Sequence, residues 1–141
     1  MLTTVGCSSS PEYRPPKSTP TPSSSPSATK ASAFCLGLST YEVHVVFFRA
    51  EVAKALHGNP LDMKDLRRRA TMISYLAKPM KASTPPEVAD DFRVVNKAVD
   101  TTAGRLKAGA RVKDIVDPVY NERVKAATDA LNRYECEGQA R

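Results

Sequence analysis

"FCLGLSTYEVHVVFFRAEVAKALHGNP", residues Phe34–Pro60, decides the fold. Its apolar positions Phe34, Leu38, Tyr41, Val45, Phe48, Val52 and Leu56 follow one another in steps of four and three, the spacing that lines one face of an α-helix. Lys54 and His57 fall in the last turn, where cations meet the negative end of the helix dipole. Gly58 then supplies the left-handed residue that stops a helix. Asn59-Pro60 predicts a cap and the first residue of a second helix with almost no loop, so the first two helices are expected to form an antiparallel hairpin.

The same reading carries on to the end of the chain. Helix two buries Leu66, Ala70, Ile73 and Ala77, and Pro79 ends or kinks it. In Thr84-Pro85-Pro86-Glu87 the proline pushes Thr84 into the extended conformation of an N-cap, and Glu87 stands where it can complete a capping box. Val88, Phe92, Val95, Val99, Thr102 and Leu106 repeat the helical spacing, weakened at Gly104 and ended by Gly109. After "ARVKDIV", Asp117-Pro118 starts a last helix carrying Val124, Ala127, Leu131 and Tyr134. Four helices of alternating direction make an all-α, antiparallel up-and-down four-helix bundle over residues 34–141. That length supports one core and one domain.

Such a bundle brings the start of its first helix beside the end of its fourth. Cys35 and Cys136 sit at those two places, and an even pair predicts a disulfide and an oxidising compartment. The zinc alternative lacks ligands, because His44 and His57 make no recognised metal spacing with the cysteines. Closing a loop of about 100 residues stabilises a fold by roughly 4–5 kcal/mol in the chain-entropy model.

Ahead of the domain, residues 8–33 hold six of the eleven prolines and most of the serines. Such a segment cannot bury a core and is expected to be a disordered, extended spacer. The 141-residue chain carries 21 Lys and Arg against 15 Asp and Glu, a net charge of +6. Of that excess, +4 lies from Phe34 onward and +2 before it. A dispersed surplus, with no tryptophan and no aromatic-basic run, points to anionic lipid heads or wall polymers and away from nucleic acid.

At the head of the chain, Thr4-Val5-Gly6-Cys7 resembles a bacterial lipobox, in which a small residue precedes the cysteine that receives a diacylglycerol group. Residues 1–7 are then the remnant of a lipoprotein signal whose charged and apolar parts lie upstream. The Ser/Thr/Pro spacer, the two-cysteine helical domain, and the elements "TPPEVADDFRVV" and "ATDALNRYEC" resemble lipoproteins of actinobacteria and their phages. The resemblance implies a lipid on Cys7 that holds the protein at the outer face of the cell membrane.

Candidate chemistry is sparse. No Ser/His/Asp set, nucleotide loop or metal spacing occurs, so no enzyme, cofactor or metal is expected. His44 and His57 read as solvated or capping residues, and Asp90 and Asp91 as first-turn acids that suit the dipole. Lys64, Arg67 and Arg68 in "KDLRRR" form a candidate basic patch for phosphate, set against a plainly solvated face. Met63, Met72 and Met80 read as core filling in preference to a partner groove. Two functional classes follow. One is a monomeric, surface-tethered interaction module for a cell-envelope protein, an anionic envelope polymer or an incoming phage factor in the manner of exclusion lipoproteins. The other is a carrier that encloses a small apolar ligand between its helices.

Overall fold

The computed structural model describes residues 30–136, with side chains from Phe34 onward. Cys7, the expected signal remnant and the expected spacer up to residue 29 lie outside the described residues. The described chain is all-helical, with five α-helices: α1 (Lys30–Ala53), α2 (Met63–Lys81), α3 (Ala89–Arg105), α4 (Val112–Tyr120) and α5 (Glu122–Arg133). A 3-10 turn, Lys54–His57, prolongs α1, and another, Pro86–Val88, precedes α3.

The four-three stripe of α1 is buried from Phe34 to Val52, but Leu56 is 58% exposed and Ala55 is buried in its place. The cause is local. A 3-10 turn advances three residues per turn, so the last turn rotates the apolar face forward by one residue. Gly58 stops this segment in the expected left-handed conformation, at φ 73°.

α2 lies antiparallel to α1. A Cβ added at Gly37 would stand 3.0 Å from Cγ and Sδ of Met80, which sets the start of α1 against the end of α2. α2 starts at Met63, later than Asn59-Pro60 predicts, because Asp62 is the N-cap and its carboxylate accepts the Asp65 backbone N–H at 2.8 Å. Pro79 does not end it. The proline is exposed on the solvent side and the helix runs on to Lys81. Nor does Thr84 cap α3; its hydroxyl donates to the Met80 carbonyl at 2.7 Å and closes α2 instead.

α3 supplies the middle of the core through Phe92, Val95, Val99 and Thr102, all buried. It ends at Arg105, and Gly109, at φ 75°, belongs to the turn that follows. The fourth leg departs most from the sequence reading. "VKDIV" is not a connector but the first part of α4, and Pro118 lies inside that helix, not at the start of one. Proline cannot bond the carbonyl four residues back, that of Asp114. Arg105 fills the gap by donating to it at 3.1 Å. The chain then breaks at Asn121, whose Nδ2 donates to the Asp117 and Pro118 carbonyls and whose Oδ1 accepts from the Val124 N–H at 3.0 Å. One side chain thereby ends α4 and caps α5, so five helices stand where periodicity counts four.

The ends meet in an aromatic cluster. The Phe34 ring makes edge contacts with Phe92 at 5.5 Å and Tyr134 at 5.9 Å, and Tyr41 lies 5.0 Å from Phe92. Beside it the sulfurs of Cys35 and Cys136 are bonded, with α-carbons 5.7 Å apart, inside the range a bridge permits. Cys136→Ser is expected to leave the helical circular dichroism intact while lowering stability by about 4 kcal/mol, a large share of what a domain of this size possesses. Thermal denaturation checks this, and an unchanged melting temperature contradicts it.

Candidate functional site

Arg93, Lys97, Thr101 and Arg105 recur every four residues along α3 and so form one ridge on its outer side. Opposite them Val95, Val99 and Thr102 hold α3 to the core. The ridge separates two open grooves of about 680 and 690 Å³. The first runs towards the end of α2 and is bordered by Lys81, Asn96 and Asp100. The second runs towards the break between α4 and α5 and is bordered by Asp117, Asn121 and Arg123. Arg93, Lys97 and Thr101 line both.

Charges along the ridge are unevenly matched. Arg93 pairs with Asp90 at 2.6 Å, and Arg105 is held by the Asp114 carbonyl. Asp100 accepts a hydrogen bond from Ser74 at 2.9 Å. Lys81, Lys97 and Arg123 make no ion pair among the described residues. Lys81, Lys97 and Arg123 thus stand without ion pairs around two shallow, partly polar grooves that Asp90, Asp100 and Asp117 also border.

Lys64, Arg67 and Arg68 from "KDLRRR" share one side of α2 by their spacing, but two of them are engaged within the domain. Lys64 is exposed, whereas Arg67 reaches across to the α3 terminus and donates to the Leu106 carbonyl at 2.8 Å. Arg68 and Arg69 both bind the Asp65 carboxylate, Arg69 at 2.5 Å. Their hydrogen bonds, that of Arg69 first, hold the Asp65 carboxyl below its usual range. Arg111 does the same for Asp114. Met80 is buried and Met72 half-exposed, so the methionines do not form one groove. His44 lies on α1 and His57 in its terminal 3-10 turn, and among the described residues no three His, Cys, Asp or Glu side chains gather as a metal group. No helix of the described residues is long and apolar enough to cross a membrane.

Burial, aided by the charge of Asp100, pushes the Tyr41 hydroxyl far above the ordinary tyrosine value. It stays protonated, without a hydrogen-bond partner, as part of the core. No protein-family model, curated protein or solved structure matches this chain.

Two outcomes separate structural from binding roles. Arg67→Ala is expected to destabilise the domain by about 1.5–3 kcal/mol, the range for a hydrogen bond to a charged group, while Lys64→Ala changes stability by less than about 0.5 kcal/mol. Chemical denaturation measures both. The depressed carboxyls of Asp65 and Asp114 contribute stability that is complete above the ordinary carboxylate pKa and is lost as pH falls through their folded-state values. Asp65→Asn together with Asp114→Asn should therefore flatten the acid side of the pH–stability curve, below about pH 4.

Proposed function

We propose that this protein is a non-enzymatic interaction module, anchored through a lipid on Cys7 at the extracytoplasmic face of the cell membrane, that docks an anionic envelope polymer on the outer face of α3. In this reading the domain is an up-and-down bundle whose fourth leg is divided between α4 and α5. The observation that carries the function is the α3 ridge between two open grooves whose linings hold more cations than carboxylates, with Lys81, Lys97 and Arg123 in no ion pair among the described residues. A flexible polymer can follow such a ridge, placing successive anionic groups near successive cations without a deep, shaped pocket.

The filled interior supports a module over a carrier. Phe34, Tyr41, Phe48, Ile73 and Leu131 are each at most 2% exposed, and both grooves open outward between charged side chains where a small apolar ligand would want an enclosed apolar wall. Attachment rests on Gly6-Cys7 and on the Pro/Ser-rich stretch after it. A diacylglycerol thioether brings two acyl chains, enough for stable anchoring where one chain gives only marginal binding.

Titration of linear polyphosphate into the full chain, kept free of lipid by Cys7→Ser, tests the ridge. Lys97→Glu combined with Arg123→Glu is expected to weaken binding by about tenfold or more, and wild-type binding falls as salt screens the contact beyond about 10 Å at 0.1 M. Lys64→Glu combined with Arg68→Glu makes the same change in net charge elsewhere and should cost much less; equal losses would reduce the effect to net charge and contradict a site. For the anchor, the protein expressed behind a complete lipoprotein signal should partition with membranes and Cys7→Ala should not. Equal partitioning of the two would remove the anchor from the account.

A further inference from the structure

α1 carries a second apolar face. On the side away from the core, Leu36, Val43, Val46 and Phe47 are 75, 50, 53 and 56% exposed, and the other exposed positions between Leu36 and Ala50 are Ser39, Thr40 and Ala50 itself. No charge interrupts this strip. At its end Lys54 is drawn to Glu51 by an ion pair of 2.7 Å. Elsewhere the exposed large apolar residues are fewer together: Met72 and Tyr75 pair on α2, and Val112 on α4 stands alone.

We propose that the outward face of α1 binds a second copy of this chain, the two α1 helices packing antiparallel about a two-fold axis near Val43. Leu36, Val43 and Ala50 are seven residues apart, and Val46 and Phe47 fall between the latter two, so the face keeps the seven-residue repeat by which helices associate lengthwise. Volumes along it are unequal, with large residues at 36 and 47 and small ones at 39, 40 and 50. An antiparallel pairing centred on Val43 sets Leu36 against Ala50 of the second copy, and Phe47 against its Ser39. Large meets small at each level. A parallel pairing stacks Phe47 on Phe47 and Ser39 on Ser39, which overfills one layer and leaves another empty. A two-fold contact of this kind is self-complementary and closes, so it yields dimers and not fibres.

The area agrees with a dimer of modest strength. The four large side chains leave roughly 400 Å² of apolar surface, the size of the largest patch an ordinary monomer exposes. With the small residues between them, two such faces bury on the order of 1,000–1,200 Å² in total, the lower edge of the specific class. This departs from the monomer expected of the sequence.

Sedimentation of the full chain carrying Cys7→Ser tests the proposal. Dimers are expected to form with a micromolar dissociation constant, and Phe47→Glu should weaken association by about 100-fold while leaving circular dichroism unchanged and, at concentrations well below that constant, the melting temperature unchanged, since the residue lies outside the core. Cross-linking reads the direction: a mixture of Leu36→Cys and Ala50→Cys proteins should give mixed disulfide dimers faster than Leu36→Cys gives its own. A monomer at the highest soluble concentration overturns the proposal, as does a dimer indifferent to Phe47→Glu. Preferential Leu36→Cys self-linkage overturns the antiparallel order. Binding of the monomer to neutral lipid vesicles through the same face, without dimers, assigns the face to a membrane and also overturns it.

Discussion

Phe34 in edge contact with both Phe92 and Tyr134, beside the Cys35–Cys136 bond, is the contact on which the rest of the bundle depends. It joins the start of α1, the start of α3 and the segment after α5 at one point. A domain of this size has little stability to spare, and conformational entropy opposes every leg of it. A covalent tie spanning most of the domain lowers the unfolded chain's entropy by an amount equivalent to about 4–5 kcal/mol, comparable to the whole net stability, while the aromatic contacts fix where the tied ends sit. At the other end the closure is polar. Arg67 bonds the Leu106 carbonyl, Thr102 bonds that of Ile115, and the Tyr120 hydroxyl donates to the Arg49 carbonyl at 2.7 Å while Arg49 lies 4.9 Å over its ring.

With both ends held, the two proposed binding surfaces follow from helix geometry. α3 packs against α2, α4 and α5, which uses its apolar side and leaves the four-residue series Arg93, Lys97, Thr101, Arg105 as a ridge. α1 packs mainly on α2, so a helix apolar on both sides keeps one of them outside. The polar ridge and the apolar strip thus occupy different helices, α3 and α1.

The core was legible in the sequence because burial imposes a period. Phe34 to Val52, Leu66 to Ala77 and Val88 to Leu106 all face inward as their spacing requires. The cysteine pair was legible through its placement, since Cys35 near the start of α1 and Cys136 after α5 lie at the two ends of the helical region. The proline signals misled because an X-Pro step admits several structures. Pro60 lies in a loop, Pro79 and Pro118 lie inside helices, and the caps are Asp62 and Asn121, residues that gain their roles from the local hydrogen bonds they make. Leu56 was misplaced because the change from α to 3-10 pitch has no periodic signature in four residues. Lys64, Arg67 and Arg68 of "KDLRRR" share a face of α2, but what the sequence does not show is their engagement: Arg67 is bonded to the Leu106 carbonyl and Arg68 and Arg69 to Asp65. The α3 cations lie four apart, a spacing that makes a ridge but looks dilute along the chain. The outward face of α1 was hidden by its own composition: a run apolar on every side announces burial, not a second surface.

Chemical-shift mapping of the isotope-labelled chain during a polyphosphate titration tests the functional reading most directly. The account predicts that the largest shifts fall on Lys97, Thr101 and Arg123, with neighbours along both grooves moving less and Lys64 and Arg68 staying still. Shifts centred on the start of α2, or small shifts spread evenly over all basic residues, would contradict it.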